Sequence, residues 1–199
     1  MVTRTALLVV GAALLVALVS GGGAEAASPA RKAYVNGDSL GVGTAPYLRT
    51  VLRRWRLTQS YDVSRHLDGR TVAAIRARRS RLAPVLIISL GTNDDPRGGA
   101  QFARGVRAIM DIAGRRRCVV WPNIVRPAHR GVGYEGFNAT LARAAARRSN
   151  LRIVDWVGIA RRNPGWIGRD GVHPNAASYR ARAQAIARAA ERCRRSLAR

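Results

Sequence analysis

The sequence predicts an α/β protein, a three-layer α/β/α sandwich built on a central five-stranded parallel sheet. Three observations lead there. Short apolar runs and stretches of helical spacing alternate five times along the chain, the order that parallel strands joined by crossover helices produce. The segment Val85-Leu86-Ile87-Ile88-Ser89-Leu90 is apolar at all but one position, as a strand covered on both faces should be. No repeat, long linker or second compositional region interrupts the pattern, so right-handed crossovers fold one domain with helices on both sides of the sheet.

The elements follow in order. Ala33-Tyr34-Val35 is the first strand and ends at the turn dipeptide Asn36-Gly37. Helical spacing covers 44–55, and 57–63 reads as a second strand. A helix over 71–79 stops ahead of Pro84, and the third strand is 85–90. Residues 101–113 form a helix stopped by Gly114. Cys118-Val119-Val120-Trp121 is the fourth strand, closed by Pro122. A helix rich in alanine and arginine spans 135–148, the fifth strand is 151–154, and the last helix is 175–194. Ligands of such sheets sit beyond the carboxyl ends of the strands. The loops after strands one, two, three and five therefore hold the informative residues.

At the N-terminus, Arg4 precedes an uncharged, mostly apolar run over 6–19, followed by Ser20-Gly21-Gly22-Gly23 and the small-x-small pattern Ala24-Glu25-Ala26. The run is short for a bilayer span, which needs about 20 residues. Residues 1–26 are expected to be a cleaved signal peptide and 27–199 the mature, secreted domain, with an uncleaved membrane anchor as the alternative. In an exported chain the even pair Cys118 and Cys193 points to a disulfide tying the last helix to the fourth strand, against the alternative of two unrelated thiols. Neither cysteine has a cysteine or histidine at ligand spacing, which argues against a metal site.

Three loops carry candidate chemistry. Gly37-Asp38-Ser39-Leu40-Gly41 follows the first strand. A serine opening the next helix lies in its positive field, where the hydroxyl can act as a nucleophile and the serine N–H can hold an oxyanion. Gly91-Thr92-Asn93-Asp94 follows the third strand, and the Asn93 amide is a donor for developing negative charge. Asp170-Gly171-Val172-His173-Pro174 precedes the last helix, and its spacing lets Asp170 curl onto His173 and orient the imidazole. In His66-Leu67-Asp68-Gly69-Arg70, Gly69 offers a further backbone N–H. Each segment alone also reads as an ordinary turn or helix cap. His66 is read as structural, and His129 as exposed or peripheral.

Taken together these residues resemble the SGNH hydrolases, the GDSL esterase/lipase superfamily. Gly37-Asp38-Ser39-Leu40 is similar to the first family block, Gly91-Thr92-Asn93-Asp94 to the third and Asp170-Gly171-Val172-His173 to the fifth, in the required order. Gly69 fits the second block by position, and that block is defined by little more than a glycine. The resemblance implies a flavodoxin-like sheet and a Ser39, His173, Asp170 triad. It also implies an oxyanion hole of the Ser39 and Gly69 N–H groups with the Asn93 side chain, and chemistry that needs no metal or organic cofactor. A base mechanism requires neutral imidazole, so activity is expected to fall at low pH.

The chain has no large insertion to build a lid or acyl tunnel, and the loop 94–99 is short, which points to a small acyl group such as acetyl on a glycan or cell-wall polymer. Trp121, Trp156 and Trp166 are candidates for a sugar-stacking face, with burial in the core the competing reading for Trp121 and Trp156. The 35 Lys+Arg against 11 Asp+Glu leave a net charge of +24, nearly all of it arginine, because Lys32 is the only lysine. The arginine clusters are spread among elements and accompany no nucleic-acid-binding motif. They read as solvated helix faces, with weak attraction to an anionic envelope as a consequence. A monomeric esterase is the expectation, and an O-acyltransferase with the same triad or a silent envelope-binding protein are the alternatives.

Overall fold

The computed structural model describes residues 30–198, so the expected signal peptide, 1–26, lies outside the described residues. Five strands, β1 (Lys32–Gly37), β2 (Arg56–Tyr61), β3 (Val85–Ser89), β4 (Cys118–Pro122) and β5 (Leu151–Val154), form one sheet in the order β2-β1-β3-β4-β5. Every pairing is parallel; Val35, for example, lies between Gln59 and Ile87. The helices are α1 (Ser39–Val51), α2 (Gly69–Ala77), α3 (Gly99–Ala113), α4 (Glu135–Arg147), α5 (Trp156–Arg161) and α6 (Ala176–Ser196).

The alternation of side chains along β3 explains the two cores. Leu86 and Ile88 point to one face and pack with Ile75, Phe102, Ile109 and Phe137 from α2, α3 and α4. Val85 and Ile87 point to the other and pack with Leu48 of α1 and Ala183, Ile186 and Ala190 of α6. All four are at most 1% exposed. Full burial of an aliphatic side chain stabilises by roughly 1.5–3 kcal/mol, which is why this run is apolar throughout while edge strand β2 keeps only partial burial. Alanines on the buried face of α6 let it lie close to α1. Trp55 beyond α1 donates its indole N–H to Glu191 at 3.1 Å.

Cys118 and Cys193 are joined in a disulfide with their Cα atoms 5.5 Å apart. The bond links the first residue of β4 to the last turn of α6, so α6 ends at the edge where the strands begin. Three details differ from the sequence expectation. Helix α1 starts at Ser39 rather than Thr44 and runs through Pro46, because Asp38 caps it by accepting from Leu40 N at 2.9 Å. Helix α5 falls in a segment that the sequence pattern leaves unassigned; it is a single short helix capped by Asp155, too brief for its periodicity to register. Trp121 and Trp156 are wholly buried, so neither presents a face to a sugar, and only Trp166 stays partly accessible.

Candidate active site

The site forms where the strands end. Ser39 is the first residue of α1, immediately after β1. Its neighbour Asp38 is fully buried and donates its N–H to Ser89 O at 3.2 Å, pinning the turn to the end of β3. Burial pushes the Asp38 carboxyl above the ordinary carboxylate value, with Arg182 acting in the opposite direction. Arg182, on α6, is 2% exposed and donates to Thr44 Oγ1 at 3.2 Å and Ser89 Oγ at 3.1 Å. Burial lowers its own pKa to about 10. A buried cation therefore lies under the Ser39 turn.

The loop 167–174 supplies the other two groups. It is held by Gly168 N donating to His173 O at 2.8 Å and by an antiparallel bridge between Ile167 and Pro174. Gly171 turns it at φ +69, where a side chain would be strained and would overlap the Pro127 ring. Asp170 Oδ1 accepts the N–H groups of Val172 and His173 at 2.9 and 3.0 Å, and Asp170 Oδ2 lies 2.6 Å from His173 Nδ1. The hydrogen bond from His173, joined by those two backbone donors, holds the Asp170 carboxyl far below the usual carboxylate range. With Nδ1 protonated toward Asp170, His173 Nε2 is the acceptor that faces Ser39 Oγ at 2.9 Å. The His173 and Asp170 side chains are 47% and 51% exposed, so the site is open.

Asn93 approaches from the loop after β3. Its Nδ2 donates to Arg65 O at 3.2 Å, and its Oδ1 accepts from Arg126 Nη1 at 3.3 Å. The amide nitrogen has a second hydrogen beyond the one given to Arg65. Gly91 permits this loop: at φ +111, a Cβ there would lie 2.7 Å from Ile124 Cδ1 and Phe102 Cε2. Asp94 anchors the neighbouring loop, accepting Leu67 N on both oxygens at 3.1 Å. Burial raises its carboxyl above the ordinary value.

The structure thus brings Ser39, His173 and Asp170 into one hydrogen-bonded chain, with Asn93 held by two neighbouring loops. Gly69 is the first residue of α2, exposed, and the residue of its loop that touches Asn93 is Arg65, four positions earlier. His66 is half-exposed, 3.8 Å from Asp94, and His129 is exposed. Sequence reasoning passed over the loop after β4. It reaches the site through Arg126, which also donates to Thr92 O at 2.5 Å, and Pro127, which abuts Gly171. A cavity of about 290 Å³ borders this region, lined by Ile124, Val125, Arg126, Val157 and Ile167 among others. Among the described residues no cluster of His, Cys, Asp and Glu is arranged to hold a metal ion.

A five-stranded parallel sheet in the order β2-β1-β3-β4-β5, with a serine at the end of its first strand and a histidine–aspartate loop before its last helix, is the architecture of an SGNH-type esterase/hydrolase. The chain belongs to the GDSL-like Lipase/Acylhydrolase family, whose profile matches residues 26–181. No curated protein sequence is significantly similar to it. Among solved structures, it is similar to the C-terminal catalytic domain of Streptococcus pneumoniae peptidoglycan O-acetyltransferase A, determined with a methylsulfonyl adduct. That likeness has 18% identity and a TM-score of 0.69, and covers 84% of this chain and 96% of that one. TesA matches at 20% identity and TM-score 0.64, covering 78% of this chain and 95% of that chain. The psychrotrophic esterase EstA from Pseudoalteromonas sp. matches at 14% identity and TM-score 0.62, with 81% and 97% covered. At these identities the likeness is one of fold.

Proposed function

We propose that the protein is an exported serine esterase that hydrolyses small-acyl esters, acetyl esters foremost, on a glycan or cell-wall polymer. The observation that carries this reading is the continuous hydrogen-bonded chain Asp170 Oδ2, His173 Nδ1, His173 Nε2, Ser39 Oγ, at 2.6 and 2.9 Å. In the first half-reaction His173 Nε2 takes the Ser39 proton as Oγ attacks the ester carbonyl carbon. The tetrahedral oxyanion is held by Ser39 N–H, at the positive end of α1, and by Asn93 Nδ2. The Gly69 N–H, at the first turn of α2, completes the hole as the sequence-based choice; Arg65 meets Asn93 through its carbonyl, and its own N–H donates to Asp62 O at 3.2 Å. Collapse breaks the ester bond, and the imidazolium protonates the leaving alkoxide. In the second half-reaction His173 deprotonates water, which attacks the acyl-serine and frees the acid. Asp170 orients the ring throughout.

The exposure of His173 and Asp170 supports small acyl groups on a bulky alcohol. The same openness admits a sugar hydroxyl in place of water, which is the acyltransferase alternative. The Cys118–Cys193 disulfide fits an oxidising compartment and so supports export, and no helix among the described residues is long and apolar enough to cross a membrane. The test is turnover of p-nitrophenyl acetate and butyrate by residues 27–199 beside Ser39→Ala. Serine-dependent turnover, faster on acetate, is expected. Equal inactivity of both proteins on these esters, on acetylated glycan and with a sugar acceptor would leave the silent binding protein as the better reading.

A further inference from the structure

The arginine clusters that are spread along the sequence converge in space. In an all-parallel sheet each connecting helix runs back against the strands, so α1 to α4, and α6 with them, end at the edge where the strands start, while the short α5 stays at the opposite edge. Arg53 and Arg54 follow α1, and Arg76 and Arg79 close and follow α2. Arg115 and Arg116 follow α3, and Arg147 and Arg148 end α4. The last turns of α6 add Arg188, Arg192 and Arg195, spaced to form one exposed stripe. The disulfide to Cys118 fixes that stripe at the same edge.

Acidic residues segregate the other way. Asp38, Asp62, Asp68, Asp94, Asp95, Asp155 and Asp170 lie in the loops at the strand ends, and Glu135 opens α4 at the same edge. Among the described residues the strand-start edge holds only Asp111 and Glu191. Both are already ion-paired, Asp111 with Arg148 at 2.9 Å and Glu191 with Arg194 at 2.9 Å. Two recesses open on this edge. One, of about 650 Å³, is lined by Arg31, Arg53, Arg54, Arg188, Arg192 and Arg195. The other, of about 790 Å³, is lined by Arg76, Arg79, Arg115, Arg116 and Arg117.

Arginine near a helix C-terminus is favourable by itself, because the carbonyl end carries about −0.5 charge. Two or three guanidiniums per helix end exceed that compensation, and neighbouring ends bring these surplus cations into shared recesses. We propose that this edge is a docking surface for a flexible phosphate-bearing polymer, which fastens the enzyme by the end opposite Ser39 and leaves the site facing outward. A phosphodiester chain presents a permanent charge and two equivalent oxygens per repeat, matching the guanidinium fork. The exposed large apolar side chains, Val42, Val63 and Val132, all lie away from this edge, so nothing there is suited to embed in a bilayer. Trp55 lines the first recess but is only 8% exposed, with its indole N–H engaged by Glu191, so it offers little ring face for bases to stack on.

The experiment measures binding of residues 27–199 to fluorescein-labelled poly(glycerol phosphate) between about 50 and 200 mM salt, with a DNA duplex and phosphatidylglycerol vesicles as competitors. One variant combines Arg53→Gln, Arg54→Gln, Arg76→Gln, Arg115→Gln and Arg116→Gln. A charge-matched control combines Arg70→Gln, Arg104→Gln, Arg130→Gln, Arg162→Gln and Arg180→Gln. Wild type should bind with a steep salt dependence. The edge variant should lose at least about tenfold in affinity and lower the salt slope by about one per arginine engaged, while the control loses less than about twofold. Hydrolysis of a soluble acetate ester by the edge variant should be unchanged, which shows that it folds. Equal losses in both variants, or no binding by wild type at about 100 mM salt, overturn the proposal. Preference for the duplex or the vesicle overturns the assignment to a polymer.

Discussion

Arg126 Nη1 lies 3.3 Å from Asn93 Oδ1 and donates in the same geometry to Thr92 O. The contact turns the Asn93 amide so that its nitrogen, not its oxygen, faces Arg65 O. Asn93→Ala should lower kcat by about 10²–10³-fold, the usual effect of deleting one oxyanion donor. Arg126→Met should lower kcat by a smaller factor, about tenfold, with KM nearly unchanged, because it loosens a donor without removing it. Steady-state kinetics on p-nitrophenyl acetate separate the two, and a change confined to KM for Arg126→Met would rule out the orienting role.

Asp170→Asn should cost about 10⁴-fold in kcat while leaving the fold intact, because an amide stabilises the wrong imidazole tautomer. The loss should approach that of Ser39→Ala and the double variant should be no worse than the worse single one, since the triad acts as a unit. Multiplicative losses in the double variant would contradict the proposed relay.

The acid limb of kcat/KM should follow a single protonation. The folded pKa of Asp170 lies below its unfolded value, so its contribution is present above the ordinary carboxylate pKa. That contribution is lost only as pH falls through the depressed folded value. Asp170 therefore stays ionised across the acid limb and adds no second proton to it. A pH–rate profile whose logarithm falls with a slope of about one is expected, and a slope of about two would mean that a second group titrates with it.

Breaking the Cys118–Cys193 bond should destabilise the fold without altering the site. The bond spans 75 residues of sequence, and closing a loop of that length is worth about 4.5 kcal/mol in the chain-entropy account. Cys118→Ser with Cys193→Ser should lower the urea midpoint accordingly and leave kcat on a small ester unchanged at a temperature where the protein remains folded. An unchanged midpoint would show that α6 is held by its packing against α1 and β4 alone.

Asp38 and Arg182 form a buried, mutually compensating set beneath the nucleophile. Asp38→Asn or Arg182→Met alone should destabilise by about 1–3 kcal/mol, since each removes a nearby opposite charge from a buried group without breaking a direct ion pair. The pair together should cost markedly less than the sum, which a double-mutant cycle by urea unfolding measures. Additive losses would mean that Arg182 acts only through Thr44 and Ser89.

Much of this molecule was legible in one dimension. The apolar runs located β1, β3 and β4, because a strand buried on both faces permits little else, whereas the edge strands β2 and β5 are only partly buried and carry polar residues. Helix ends were less legible: α1 begins at Ser39, where a buried Asp38 supplies the cap, rather than where apolar spacing begins. The motif positions of Ser39, Asn93, Asp170 and His173 were readable because each sits in a short loop with its own local turn chemistry. Arg65, Arg126 and Arg182 carried no such signal, since their partners lie 28, 33 and 93 residues away in sequence, in Asn93 and Ser89.

Alternation and spacing by themselves determined the fold class and the candidate chemistry, because both are local patterns of side-chain period and turn preference. Tertiary structure alone decided which loop abuts Asn93, that the loop after β4 joins the site, and that Trp121 and Trp156 belong to the core. It also decided where the charge goes. Along the chain the arginine clusters look evenly distributed, and only the antiparallel return of each helix against a parallel sheet carries them to one edge and the acids to the other. The physical reason is the same throughout: local preference acts over a few residues, whereas burial and charge accumulate over surfaces that the chain assembles from distant segments.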